Sequence, residues 1–313
     1  MEESCRRIQL LFPLTKGDTG RATPKPNSFT ASGLIESFSS KGDIILNKFQ
    51  ITFPSFFPLL WRGLPFFLFL GLWVLSSCYA DSNTGEAPLR VCLISGSNEY
   101  HSDISLTAFQ HFLEAQYDVR CVLIQARGRL NQFGEFSDLP GLDSLDHADV
   151  ILLFTRRVTI PEDQLAQVKR YINSGKPVVA VRTASHGLQG WPEFDKTVLG
   201  GNYQGHFGLE FKQTVSSVEG LQSHPVLEGV TKIISGSSLY KTTPLASDVE
   251  LLMVGSTTQS SQPSAWTRVH KGGRIFYTSL GAPEDFENPS FRRLLTNALF
   301  WVAGRKVTPR RPS

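Results

Sequence analysis

The sequence predicts an α/β domain over residues 89–305, built on a mainly parallel, doubly wound sheet and preceded by a hydrophobic export segment. Short continuous apolar runs such as ILLF and VVAV alternate with amphipathic stretches of helical period. This pattern is typical of parallel strands that are covered by helices on both faces. With 313 residues and 41% hydrophobic composition, the chain is long enough for one large domain or two small ones.

The predicted elements follow one another from Leu89 onward. The first half reads as strand LRVCLISG, helix ISLTAFQHFLEAQ, strands YDVRCVLIQA and ADVILLFT, helix PEDQLAQVKRYINSG, and strand KPVVAVRT. Three more strands follow, VELLMVGS, SAWTRVH and GRIFYTSLG, and the last two are predicted to form a hairpin around residues 271–273. The amphipathic stretch PSFRRLLTNALFWVAG closes the domain as a helix. In such sheets ligands bind beyond the carboxyl ends of the strands.

The first eighty residues predict export. Residues 1–50 are a polar leader, and because a signal rarely begins so far into a chain, the true start is expected further downstream. In the segment 51–80, the apolar run Gly63 to Val74 follows Arg62 and fits the core of a signal peptide better than a full membrane span.

The end of this segment leaves three export routes open. The residues LSSC resemble the lipobox of bacterial lipoproteins, which predicts lipidation of Cys78. Cleavage after Ala80 and an uncleaved anchor are the alternatives, so the domain is placed in the periplasm, on a membrane or outside the cell. A buried apolar helix would leave it unexported, but the linker 81–88, with its Ser, Asn, Gly and Pro, argues against that.

Charge and cysteine content exclude some classes of function. Residues 1–80 hold eight Lys/Arg and five Asp/Glu, and the rest of the chain holds 23 of each. Without a basic stripe, nucleic-acid binding is not expected. The basic tail 306–313 is predicted to be a solvated terminus, with contact to phosphate or acidic lipid as the alternative. Cys92 and Cys121 lie in apolar runs without a C-x-x-C pair, which predicts buried free thiols.

A set of motifs carries a family resemblance. The segments LISGSNEYHS, RTASHGLQGWPEFD, LGGNYQGHFG, SHPVLEGV and GRIFYTSLGAPEDFENPSFRRLLTNALFWVAG occur in this order. Together they resemble the ThuA-like (trehalose utilisation) family, within the class I glutamine amidotransferase-like superfamily, over residues 89–305. The resemblance implies a flavodoxin-like three-layer sandwich, a pocket where an amidotransferase carries out its chemistry, and a link to sugar metabolism.

Arg182 stands where the amidotransferase relatives have their cysteine, directly after a strand. A guanidinium stays protonated and cannot attack a carbonyl, so glutaminase chemistry is excluded at this position. Arg182 is predicted either to bind a ligand and polarise one of its oxygens, or to form a structural ion pair with Glu99 or Asp195. Ser185 is not expected to form a triad with His186, since adjacent side chains do not normally face each other.

Other candidates lie on loops that meet at the same edge. His206, between flexible glycines, is the predicted acid or base, and His186 joins it as a catalytic candidate. Four further residues are predicted to bind the ligand: Glu99, His101, Trp191 and Tyr203. The three histidines and Glu99 leave a divalent metal possible, but their scattered spacing argues against one, and we predict no metal or other cofactor.

Two functions compete. The first is an exported enzyme, a hydrolase or lyase acting on keto sugars or glycosides, with a sugar-derived molecule and a membrane as its partners. The second is a non-catalytic sugar-binding or scaffold lipoprotein. It is favoured by the missing nucleophile and by the absence of the carboxylate pair that glycosidases use. Ala282 favours it too, because ThuA-like proteins often have histidine at that position. The sequence leaves the oligomeric state open.

Overall fold

The computed structural model describes residues 86–128, 135–208 and 212–310. Within these ranges nine strands form one sheet: β1 (Leu89–Gly96), β2 (Val119–Gln125), β3 (Val150–Thr155), β4 (Val178–Val181), β5 (Gln213–Ser217), β6 (Ile233–Ser235), β7 (Glu250–Ser256), β8 (Ser261–His270) and β9 (Gly273–Thr278). Three α-helices accompany them: α1 (Ser102–Gln116), α2 (Glu162–Asn173) and α3 (Pro289–Val302). The leader, the export segment with Cys78, and most of the linker lie outside the described residues.

The sheet is mixed, with strand order β2-β1-β3-β4-β9-β8-β7-β5-β6. The pairs from β2 to β9 are parallel, in the flavodoxin-like order, and the pairs from β9 to β6 are antiparallel. The prediction of a mainly parallel sheet is therefore wrong for the second half. The physical reason is the length of the connections, since the strands β7, β8 and β9 follow one another too closely for a crossover helix.

The predicted hairpin is confirmed. Strands β8 and β9 pair from Ala265 opposite Thr278 to His270 opposite Gly273. Lys271 and Gly272 have φ values of 50° and 87°, and two consecutive left-handed residues match the right-handed twist of the strands they join.

Helices cover both faces of the sheet, which makes three layers. On one face, α1 and α3 pack against alternate strand residues such as Leu93, Val179 and Phe276. On the other face, α2 and the turn Leu142–His147 pack against Ile94, Leu153 and their neighbours. All six residues of β3 are buried, as expected for a strand that is covered on both sides.

The topology fixes where a ligand site belongs. From β1 the chain crosses to β2 on one side, and from β3 it crosses to β4 on the other side. The loops that leave the carboxyl ends of the neighbouring strands β1 and β3 therefore run in opposite directions. This is the switch point of the sheet. The loops that follow β1, β3 and β4 carry residues 97–101, 156–161 and 182–191.

The two thiols are free, as predicted, but only Cys92 is fully buried, whereas Cys121 is half-buried. In the parallel pair β1–β2, Cys92 lies opposite Val122 and Cys121 lies opposite Val91. The offset of one residue sends the two side chains to opposite faces of the sheet, so they cannot bond.

Part of the predicted basic tail is packed against the domain. The Asp118 amide donates to the Thr308 carbonyl at 2.9 Å, and the Arg310 guanidinium donates to the Glu114 carbonyl at 2.6 Å. Residues 306–310 therefore extend the domain beyond Arg305. Within the described part of the chain, no helix is long and apolar enough to cross a membrane.

Candidate functional site

Arg182 lies at a sharp turn at the carboxyl end of β4. Its φ of 48° is left-handed, a conformation that costs a non-glycine residue roughly 1 kcal/mol or more. Two hydroxyl groups hold its carbonyl oxygen, since Tyr277 donates to it at 2.8 Å and Ser185 at 3.3 Å. The tight strand-to-turn geometry predicted from the sequence is therefore present, and Arg182 is the first residue of the turn.

The Arg182 side chain is fully buried and bonds to neutral groups. One terminal nitrogen donates to the Ser279 carbonyl at 2.7 Å, and the other donates to Tyr100 Oη at 2.9 Å and Ser238 Oγ at 3.0 Å. The guanidinium also lies between two aromatic rings, 4.4 Å from the Tyr100 centroid and 4.6 Å from that of Tyr240. Its Nε has no partner among the described residues.

The predicted ion pair of Arg182 does not form. Glu99 pairs instead with Arg156 at 2.5 Å, and Asp195 accepts a hydrogen bond from the Tyr203 amide at 2.7 Å. The carbonyl, the hydroxyl groups and the two rings take the place of a carboxylate around the guanidinium. Burial lowers the pKa of Arg182, but its interactions with Tyr240 and Tyr100 and the charge of Asp285 raise it above the ordinary value.

An aromatic stack connects Arg182 to the surface. The Tyr240 ring, which contacts Arg182, lies 4.6 Å from the Tyr203 ring. Tyr203 in turn stacks on His186 with ring centroids 4.3 Å apart and planes 12° apart. Arg182 thus supports the wall of a cleft that its own side chain does not reach.

This cleft, of about 380 Å³, opens beside the β4 turn. Its lining combines cations, aromatic rings and neutral polar groups with one carboxyl group: Arg157, Ser185, His186, Leu188, Gln189, Trp191, Pro192, Asp195, Lys196 and Tyr203. Clefts of this size accept a small molecule, and rings beside polar groups suit a sugar, which has both apolar and hydroxyl-bearing faces.

His186 is neutral at physiological pH. Burial is the main reason that the pKa of His186 falls to about 3, and three neighbouring arginines act in the same direction. Although adjacent side chains do not normally face each other, its Nδ1 contacts Ser185 Oγ at 3.1 Å, because both residues lie in one tight turn. A base of such low pKa gains little by taking a proton from serine, so this contact does not make Ser185 a strong nucleophile.

Asp195 is the carboxyl group of the cleft, and its chemistry was missed from the sequence. Burial raises the pKa of Asp195 to about 6, although the Tyr203 amide and the charge of Lys196 oppose the shift. Its Oδ1 has no partner among the described residues. Gly201 lies against this oxygen, and a Cβ there would come within 2.5 Å of it. The pair Gly200-Gly201 was the available signal, since glycine marks a close approach of the backbone.

The structure brings some predicted residues together and leaves others aside. Trp191, Tyr203 and His186 line the cleft, whereas Glu99 and His101 are exposed on the neighbouring loop and do not. His206 lies at the same edge of the sheet, bridged to Tyr240 through the backbone, but its ring is exposed and bonds to the Phe207 carbonyl at 2.6 Å. The roles given to these residues stay predictions.

No metal cluster is evident in the described ranges. Among them, no group of three or more His, Cys, Asp or Glu side chains is close enough to hold an ion.

His224 has a structural position, since its Nδ1 accepts a hydrogen bond from the Val226 amide at 3.2 Å and so caps a short turn.

Comparison with known proteins identifies the family. A family model described as trehalose utilisation, ThuA, matches residues 90–302. The chain belongs to the ThuA family. This confirms the resemblance seen in the sequence motifs, and it places the cleft, with Arg182 behind it, inside the ThuA domain.

Solved structures share this fold. A ThuA-like protein from Bacteroides uniformis is 20% identical with a TM-score of 0.54, over 71% of this chain and 94% of that one. A ThuA-like protein from Parabacteroides merdae is 18% identical with a TM-score of 0.53, over 72% of this chain and 94% of that one. No functionally curated protein matches the chain.

Proposed function

We propose that this ThuA domain is an enzyme of carbohydrate metabolism that transfers a proton on a sugar-derived molecule bound in the cleft. One observation carries the proposal: the cleft holds a carboxyl group, Asp195, whose pKa is raised to about 6. A group that titrates near neutral pH is suited to both accept and donate a proton. The family description supports the choice of sugar, and so do Trp191 and Tyr203, whose rings are placed to contact a sugar face.

The chemistry assigns a role to each lining group. Above pH 6 the Asp195 carboxylate acts as a base and removes a proton from a carbon beside a carbonyl, as on a keto sugar. The positive charges of Arg157 and Lys196 in the lining favour, through their field rather than by direct contact, the negative charge that develops on the carbonyl oxygen. Neutral His186 offers a hydrogen bond without competing for the proton. The same step begins an isomerisation or an elimination, which fits the expected lyase.

We expect the Asp195→Asn variant to lose proton transfer and keep ligand binding. Sugars that shift the melting temperature of the full chain are incubated with it in D₂O, and deuterium incorporation is followed by NMR. The wild-type rate should rise with pH through about 6, as the carboxylate forms, and fall roughly 10²- to 10⁴-fold in the variant. His206→Gln in the same assay tests the sequence-predicted base.

Two outcomes would contradict this proposal. Equal exchange in wild type and Asp195→Asn would remove Asp195 from the mechanism. Binding without exchange for every sugar that binds would favour the second function, a non-catalytic sugar-binding or scaffold protein. The low pKa of His186 favours that alternative, because it leaves the Ser185–His186 contact without a useful base.

The proposal excludes glutaminase activity. Arg182 occupies the position of the nucleophile, its guanidinium is enclosed by protein groups, and the thiols at Cys92 and Cys121 lie in other strands. Burial raises the pKa of both thiols to about 12, so neither is a thiolate at neutral pH.

We also propose that the domain is exported and anchored through Cys78, on the strength of the apolar run after Arg62 and the LSSC motif. In a bacterial host, fatty-acid labelling of the full chain should disappear in Cys78→Ser. Equal labelling of both would refute lipidation at this residue, and no labelling of either would favour cleavage after Ala80 or an uncleaved anchor.

A further inference from the structure

We propose that the ligand of the cleft carries an acid group, a carboxylate or a phosphate, which Arg157 and Lys196 hold. This inference rests on the proposed function, since it names the class of sugar derivative that the same cleft takes: sugar acids or sugar phosphates rather than neutral sugars.

Two adjacent arginines, Arg156 and Arg157, differ in their partners. Arg156 is neutralised by two carboxylates, Glu99 at 2.5 Å and Glu135 at 3.3 Å. Arg157 is exposed and lines the cleft, and within the described ranges its side chain has neither a hydrogen bond nor an ion pair. Its charge is therefore available to a ligand.

The position of Arg157 is fixed by the fold. Its φ of 47° is left-handed, which an arginine rarely adopts. Its amide donates to the His186 carbonyl at 3.1 Å, and the next amide, that of Val158, donates to Gly187 at 2.8 Å. These bonds tie the loop after β3 to the turn after β4 and hold Arg157 over the cleft. Strain of this kind occurs often at ligand sites.

Lys196 supplies the second charge. It lies in the turn Asp195–Leu199, is exposed, and its ammonium makes no hydrogen bond or ion pair in the parts of the chain that the structure describes. Among the described lining residues, a single carboxyl group, the buried Asp195, stands against these two cations. The described lining therefore carries a net positive charge near neutral pH.

The state of His186 agrees with a positive potential in the cleft. Burial lowers the pKa of His186 most. The charges of nearby arginines lower it further, and that of Arg157 has the largest effect among them. A guanidinium fork and an ammonium suit the oxygens of one carboxylate or phosphate. The volume of about 380 Å³ suits a monosaccharide acid.

The test compares three probes of one sugar on the full chain: glucose, glucuronate and glucose 6-phosphate, with binding measured by calorimetry. We expect at least one acid probe to bind more tightly than glucose. Arg157→Asn, which removes the charge but tolerates left-handed backbone, should weaken that binding roughly tenfold or more, and Lys196→Gln should weaken it severalfold. Both should change glucose binding less than twofold.

A matched control removes an exposed charge elsewhere. Lys232→Gln should leave all affinities unchanged, and the melting temperature of each variant shows whether it is folded. The acid probe that binds more tightly, glucuronate or glucose 6-phosphate, shows whether the cleft prefers a carboxylate or a phosphate. If glucose binds as tightly as both acids, or if Arg157→Asn weakens glucose and acid alike, acid recognition is wrong while the proposed function stands. If none of the three binds and no other sugar shifts the melting temperature, both fail.

Discussion

Arg182→Ala is expected to lower the free energy of unfolding by roughly 3–5 kcal/mol. The side chain is fully buried, and its loss leaves a cavity between two tyrosine rings. The substitution also removes the hydrogen bonds that Arg182 donates to the Ser279 carbonyl, to Ser238 Oγ and to Tyr100 Oη, and it leaves those oxygen atoms without this donor. Urea unfolding followed by fluorescence measures the effect.

Arg157→Ala is the matched control. It removes the same side chain from a residue with almost the same left-handed φ, 47° against 48°, but from an exposed position. Its cost should stay below about 1 kcal/mol, so the difference between the two variants isolates burial. If Arg182→Ala is as stable as the control and instead weakens ligand binding, Arg182 binds the ligand, which is one of the two roles that the sequence left open.

Gly281→Ala is expected to cost roughly 3 kcal/mol or more. Gly281 has a φ of 135°, and a Cβ there would approach Val181 Cγ1 to 2.6 Å and Arg182 Cβ to 3.3 Å. Its amide also donates to Asp285 at 2.8 Å, which anchors the following turn. A methyl group would therefore push the end of β4 and Arg182 out of place.

Gly220→Ala separates steric clash from backbone strain. Gly220 has a φ of 83°, but nothing lies within 4 Å of a Cβ placed there. That variant should lose only about 1 kcal/mol, the usual cost of a left-handed alanine. Equal losses for both, measured by the same unfolding experiment, would show that contact with Val181 and Arg182 does not limit position 281.

The sequence by itself determined the type and order of the three α-helices and of seven of the nine strands that the structure describes, the hairpin at Lys271, and the family; the short strands β5 and β6 were not predicted. These features depend on local information. The spacing of apolar residues distinguishes a strand from a helix, Pro and Gly mark the ends of these elements, and two left-handed residues suit a tight turn. The sharp turn at Arg182 was also readable, because an apolar strand stops there and small residues follow.

Only the tertiary structure decided that half of the sheet is antiparallel, that Arg182 is buried, and that Asp195 titrates near pH 6. The three hydrogen-bond partners of Arg182 lie 56 to 97 residues away along the chain. The shift of Asp195 arises from burial beside Gly201 and Tyr203. The spacing of apolar residues in a segment predicts which of its side chains face inward. The burial, the hydrogen-bond partners and the pKa of each side chain, however, are set by the other segments that pack against it, and that information is not local.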